Sequence, residues 1–342
     1  MLKLRSAICV ALTCWQLCAF SQHQIAVKSL QGKYAFYSGG AVQFAADDQQ
    51  LLLITPGNPV QEMEPVGRNA YRSKTLGQEQ FVFSEDNTDS IRLEVVTTQG
   101  SIRGVKVSDE VEDHSSAMDS LLPRRKSSEH FAFWFSDTDT VAVDSVAHYL
   151  EAQHARILRD FKLSSLPVTA VKMYPDLKSF HLAINEPDAP AEILATAFGR
   201  NEFRMVSPSK GGPELMQFIS HEFTHCVHLN IDYSPNNPRW LWEGVAMYES
   251  GWFMDPAQID QIKNRNFPAL QELGNGMEYA LGYVIIEAIK DMWGFDAVIG
   301  LIKNRGNVEK VLSISGVKFE QDIFEHIYKK YVNSASNLQH TK

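Results

Sequence analysis

The sequence predicts an α+β chain, on three observations. Short runs rich in β-branched and aromatic residues, broken by turn residues, fill its first third. A long amphipathic segment, Val141 to Phe161, stands between two strand-like runs. From Pro213 to about Val332 the pattern is mostly helical. Strands first and helices afterwards are the order of an α+β fold.

The first 21 residues read as a secretory signal. Lys3 and Arg5 precede an almost uncharged apolar run from Ala7 to Phe20, and the small residues Ala19 and Ser21 stand three and one positions before a cut ahead of Gln22. The run is too short for a comfortable spanning helix. Three of the four cysteines, Cys9, Cys14 and Cys18, fall inside it, so Cys226 would stand alone and an intrachain disulfide is excluded. The expected location is exported, periplasmic or extracellular.

Residues 22–107 are expected to form a small antiparallel β domain. Its strands are Lys33 to Tyr37, Ala41 to Phe44, Gln50 to Thr55, Gln80 to Ser84 and Ile91 to Thr97. Gly39-Gly40, Asp47-Asp48, Pro56-Gly57-Asn58-Pro59 and Asp86-Asn87 supply the turn chemistry. Residues 108–128 turn polar and read as a linker. Residues 129–342 form the second domain, with strands at Phe131 to Phe135, Val168 to Tyr174 and Phe203 to Val206.

Charge narrows the function classes. The chain carries −9, and −11 without the signal, with no basic block. Nucleic acid and anionic membrane surfaces are therefore poor partners. No long apolar run follows the signal, so stable membrane insertion is not expected after its cleavage.

The chemistry lies in Ser220-His221-Glu222-Phe223-Thr224-His225, an HExxH motif. On a helix, residues four apart share a face, so His221 and His225 can reach one ion while Glu222 reaches a metal-bound water. Leu215, Ile219, Phe223 and Val227 recur at helical spacing, Pro213 suits the first turn and Asn230 a stop. HExxH alone occurs in many unrelated chains, so a third ligand must separate a metal site from ordinary surface histidines. A glycine bend close behind would need Gly at 228 and a ligand at 231, where the chain has His228 and Ile231. Glu243, in Trp240-Leu241-Trp242-Glu243-Gly244-Val245-Ala246, lies eighteen positions after His225 near the start of a helix. A carboxylate among tryptophans and small apolar residues is costly to bury without a cation. Gly244 and Ala246 are small enough for this helix to pack close to the first.

These two segments together resemble the gluzincin zinc metallopeptidases, especially the bacterial peptidase MA-like group, with the aminopeptidase N family as a larger relative. The spacing is one residue shorter than in that family, which a loop absorbs. The resemblance implies a zincin-like domain (mixed sheet, HExxH helix, helical C-terminal part), one Zn²⁺ on His221, His225 and Glu243, and hydrolysis of a peptide or protein by Glu222-assisted attack of zinc-bound water. It implies Tyr279, in Tyr279-Ala280-Leu281-Gly282, as oxyanion donor, and the strand at Phe203 to Val206 as the cleft edge. Glu202 is where an aminopeptidase would hold the substrate amine, although the surrounding residues depart from that family's segment. His228, Cys226 and Glu249 receive no metal role. The N-terminal part also resembles the small β domain attached to bacterial beta-lactamase-like serine hydrolases, through Gly32-Lys33-Tyr34, Asp48 to Leu53 and Phe81-Val82-Phe83, which implies an accessory role.

A zinc hydrolase with a non-peptide substrate is the rival among enzymes. Outside them the rival is an inactive zincin-fold binding protein, against which retention of Glu222 argues, since neither folding nor metal binding needs that base.

Overall fold

The computed structural model describes residues 24–333 apart from 47–48, 75–78, 87–89, 98–99, 213, 236–237, 252–254 and 275. The expected signal and Pro213 lie outside the described residues.

Eight antiparallel strands close into a barrel in chain order: β1 (Gly32–Phe36), β2 (Ala41–Ala46), β3 (Leu51–Ile54), β4 (Gln61–Gly67), β5 (Ala70–Ser73), β6 (Gln80–Glu85), β7 (Ile91–Thr97) and β8 (Gly100–Ser108). β8 pairs back onto β1, with Phe36 opposite Gly104. Only glycine fits at 104, because a Cβ there would lie 2.5 Å from the Ala35 carbonyl oxygen. Alternate residues fill the interior. Phe44 and Phe83 meet edge-on at 5.1 Å, and Tyr34 packs against both. Tyr34 donates its hydroxyl proton to the Leu30 carbonyl. The barrel is thus a packed body whose middle is occupied by aromatic rings.

β4, β5 and β8 were not expected. Glu62, Glu64 and Pro65 depress strand propensity in β4, and glycines and cations do so in β8. Cross-strand pairing in a closed sheet overrides both.

The second sheet has the order β12-β13-β11-β10-β9. β10 (Phe131–Phe135), β11 (Thr169–Tyr174) and β13 (Glu202–Val206) run parallel in its centre. β9 (Arg124–Ser127) and β12 (Ala195–Ala197) are antiparallel edges. The polar stretch 108–128, read as a linker, therefore contains α1 (Ser115–Met118) and the edge strand β9. Its charges suit an edge: Arg124 and Lys126 pair with Asp137 and Asp144, and Arg125 lies over Trp134.

α2 (Ala142–Asp160) joins β10 to β11, and α3 (Leu177–Ala183) follows β11. The rest is helical: α4 (Leu215–Ile231), α5 (Arg239–Ser250), α6 (Asp260–Lys263), α7 (Met277–Trp293), α8 (Phe295–Lys303), α9 (Val308–Leu312) and α10 (Gly316–Tyr328). From Ile219 to Leu229 every residue of α4 is buried. It is a central helix enclosed on all sides, not a half-exposed amphipathic one.

α5 starts after Pro238 and stops at Gly251, whose φ of 70° is left-handed. Its small residue Gly244 was expected to face the HExxH helix. Instead it meets Gly282 of α7, where a Cβ on Gly244 would stand 2.7 Å from the Gly282 carbonyl carbon and oxygen. The two helices touch backbone to backbone, and this contact sets how near Glu243 and Tyr279 can come. Gly244→Ala is expected to force the helices apart and lower the urea-unfolding free energy by about 1–3 kcal/mol. Gly316→Ala, where nothing lies within 4 Å of an added Cβ, serves as the control and is expected to stay within about 0.5 kcal/mol.

Candidate metal centre and cleft

One turn of α4 places His221 and His225 on the same face, and the first turns of α5 bring Glu243 against them. The three donor atoms form a closed triangle. His221 Nε2 is 3.2 Å from Glu243 Oε2, His225 Nε2 is 3.0 Å from His221 Nε2, and His225 Nε2 is 3.5 Å from Glu243 Oε2. Zinc with bonds of about 2.0–2.1 Å and tetrahedral angles needs donors roughly 3.3–3.4 Å apart. The triangle therefore fits one such ion, and its donor set of two imidazoles and a carboxylate fits zinc chemistry.

The electrostatics agree. Burial alone would raise the Glu243 pKa, but hydrogen bonds from His221 and His225 outweigh it and hold the carboxyl far below its ordinary range. Burial alone would lower the His221 pKa, and the Glu243 hydrogen bond with the charges of Glu222 and Glu243 reverses this. Glu243 is only 5% exposed. An anion so deeply placed calls for a neighbouring cation.

Aromatic packing orients the rings. His225 stacks on Trp242 at 4.0 Å and 6°, and His221 lies 6.1 Å from the Tyr279 ring. The Nδ1 atoms of His221 and His225 are buried and, among the described residues, have no hydrogen-bond partner. Packing replaces the hydrogen bonds that usually fix metal-binding imidazoles.

The Glu222 carboxylate accepts a hydrogen bond from the Ala197 backbone N–H at 2.6 Å, which ties it to β12. The edge of the cleft is thus β12, not the strand at Phe203 to Val206. β13 is the second strand in, covered by β12. Glu202 is correspondingly removed from the cleft and pairs with Arg204 at 2.7 Å and Lys172 at 3.2 Å. A three-residue edge strand of Ala-Thr-Ala carries too little pattern to be found in the sequence.

The remaining candidates separate cleanly. His228 is buried, not a surface group, and meets Trp242 edge-on at 4.9 Å. Burial, then the charge of His225, pushes its pKa down to about 3, so it is neutral. Cys226 is buried with its thiol directed to the Glu202 carbonyl, and burial raises its pKa well above the ordinary value. Asn230 bonds back to the Cys226 carbonyl, and the helix ends two residues later at Asp232. Glu249 is buried and pairs with Arg156 of α2 at 2.5 Å.

The cavity holding the triad is about 240 Å³ and is lined also by Pro56, Gly57 and Asn58 of the barrel's β3–β4 turn. No protein-family model and no curated protein matches the chain. Solved structures similar to it include M1 zinc metallopeptidases. A mutant of a two-domain M1 zinc metallopeptidase bound to L-arginine is 14% identical over 87% of this chain and 84% of that one, with a TM-score of 0.34. The M1 zinc metallopeptidase from Deinococcus radiodurans gives the same four values. None of these is a beta-lactamase-like hydrolase. A TM-score of 0.34 does not establish a common fold.

Arg239 closes the cleft beside Glu243. It pairs with Glu278 of α7 at 2.7 Å and stands 3.8 Å from Glu243 Oε1. Glu278 is 2% exposed, and its Oε2 has no partner among the described residues. Arg239→Met is expected to lower the unfolding free energy by about 2 kcal/mol, because a buried carboxylate loses its counter-charge while the arginine itself is half-exposed. Adding Glu278→Gln is expected to recover much of that loss.

Proposed function

We propose that the chain is an exported zinc-dependent metallopeptidase whose zincin-like second domain binds one zinc ion through His221, His225 and Glu243. The observation that carries this reading is the donor triangle, with edges of 3.0, 3.2 and 3.5 Å, beside a glutamate held at a sheet edge. When bound there, zinc supplies Lewis acidity that polarises a carbonyl and acidifies a water.

The side chains divide the other tasks. β12 offers backbone groups along which an extended peptide can lie as an added strand. Glu222, fixed between β12 and the triad, takes the proton of the attacking water and delivers it to the leaving amine. Tyr279 lines the same cavity. Burial, then the charge of Glu243, raises its phenol pKa, so the hydroxyl stays protonated and can donate to the tetrahedral oxyanion. Residues 1–21 would direct export, 22–107 the barrel and 129–342 the catalytic unit, with the barrel's turn completing the cleft.

Metal analysis and peptide cleavage on four proteins test the reading together. Wild type is expected to hold about one zinc and cleave peptides. Glu243→Ala is expected to lose most of the zinc. Glu222→Gln is expected to keep it while kcat falls about 10³-fold, and Tyr279→Phe to keep it with a loss of roughly 10²-fold. A fully zinc-loaded wild type that cleaves no member of a broad peptide library contradicts the proposal. Hydrolysis of a non-peptide ester or amide by the same protein would then point to the rival hydrolase.

A further inference from the structure

Three carboxylates line the cavity that holds the triad: Glu222, Glu243 and Glu186. The first accepts the Ala197 N–H, and the second is held by His221 and His225. Among the described residues the carboxylate of Glu186 has neither a hydrogen bond nor an ion pair. Burial raises its pKa, and the nearest opposing influence is the charge of His181. It is a partly buried carboxylate in the cavity that holds the triad, with no counter-ion among the described residues.

Its position is defined by the barrel. Gly57 has a φ of 67° and donates its N–H to the Ile184 carbonyl at 2.8 Å, which pins the β3–β4 turn onto the loop after α3. A Cβ built on Gly57 would lie 3.3 Å from Glu186 Oε1 and 4.0 Å from Thr196 Oγ1. The Glu186 carboxylate, the barrel turn and the edge strand therefore meet at Thr196. The next residue, Ala197, is the one that holds Glu222. Glu186 and Pro56 also line a second cavity of about 440 Å³ between the barrel and the segment 185–190, so Glu186 stands where the two spaces adjoin.

We propose that Glu186 determines specificity by receiving a positively charged group of the substrate close to the scissile bond. The proposal rests on the hydrolase reading above and names the substrate class for that site: peptides carrying an ammonium or guanidinium near the cut. A partly desolvated carboxylate next to the path of the substrate gains a charge-assisted hydrogen bond from such a group and little from a neutral one. The chemistry is shared by a free amino terminus and by a Lys or Arg side chain, and the barrel turn takes part by closing the wall behind it.

The test uses the zinc-loaded full chain with matched fluorogenic peptides. One pair differs only by N-acetylation, and another replaces a flanking Lys by norleucine. Wild type is expected to favour the charged member of at least one pair about tenfold in kcat/KM, mainly through KM. Loss of the preference on acetylation identifies the amino terminus as the ligand, and loss with norleucine identifies the side chain. Glu186→Gln, a substitution of equal size, is expected to bring the ratio to within about twofold of unity while zinc content and melting temperature are kept. Glu186→Lys is expected to favour a matched peptide with Glu in place of Lys. A wild type blind to charge, or a Glu186→Gln variant that retains the wild-type ratio, overturns the assignment of Glu186 and leaves the hydrolase reading standing. Absence of all peptide cleavage by the zinc-loaded wild type sinks both.

Discussion

Burial of the Glu243 carboxylate is the constraint around which the helical half of the molecule is arranged. A group 5% exposed and ionised has to be offset locally, and the two imidazoles of α4 do this only if α5 crosses α4 at the right turn. α5 is in turn held from behind by α7, where Gly244 and Gly282 remove the side chains that would keep the helices apart. Arg239 then bridges α5 to Glu278 at the start of α7. One crossing therefore places a carboxylate, a phenol and an arginine around the same small cavity.

The barrel takes part in that arrangement. The rings of Tyr34, Phe44 and Phe83 pack against one another in its interior. Its contribution to the site is external: the turn at Pro56 to Asn58 supplies a wall of the cavity that holds His221, His225 and Glu243. A rigid, closed sheet is well suited to this, since a turn anchored at both ends by paired strands loses little freedom when it packs. The Gly57 N–H donates to the Ile184 carbonyl, which ties the barrel to the loop after α3, and the Gln43 side-chain amide both donates to the Glu112 carbonyl and accepts the Glu112 N–H.

Much of the site was legible because its chemistry is local or carried by fixed spacing. His221 and His225 share a helix face by periodicity alone, and Glu243 was marked by the cost of placing a carboxylate among tryptophans and small apolar residues. Tyr279 and Gly282 stood together in one short segment, although the reason for the glycine, contact with Gly244, is tertiary and invisible in a single helix. The edge strand was misplaced for a related reason. β13 is a strong β-former and was easily seen, whereas the strand that covers it is three small residues whose extended shape comes from pairing with Phe203 and Met205. Glu186 could not be found in advance, because nothing in its neighbours distinguishes it from a solvated loop carboxylate until the barrel turn is seen to close on it. The turn chemistry of Pro56 to Pro59 was plain, and what it faces was not.

The coordination itself is open to direct measurement by X-ray absorption at the zinc edge of the loaded protein. The expected spectrum is a four-coordinate shell of nitrogen and oxygen at about 2.0–2.1 Å, with imidazole scattering from two histidines and no sulfur. A sulfur shell near about 2.3 Å, which only Cys226 or a cysteine from the first 21 residues could provide, or a shell with fewer than two imidazoles, would contradict the site built here from His221, His225 and Glu243.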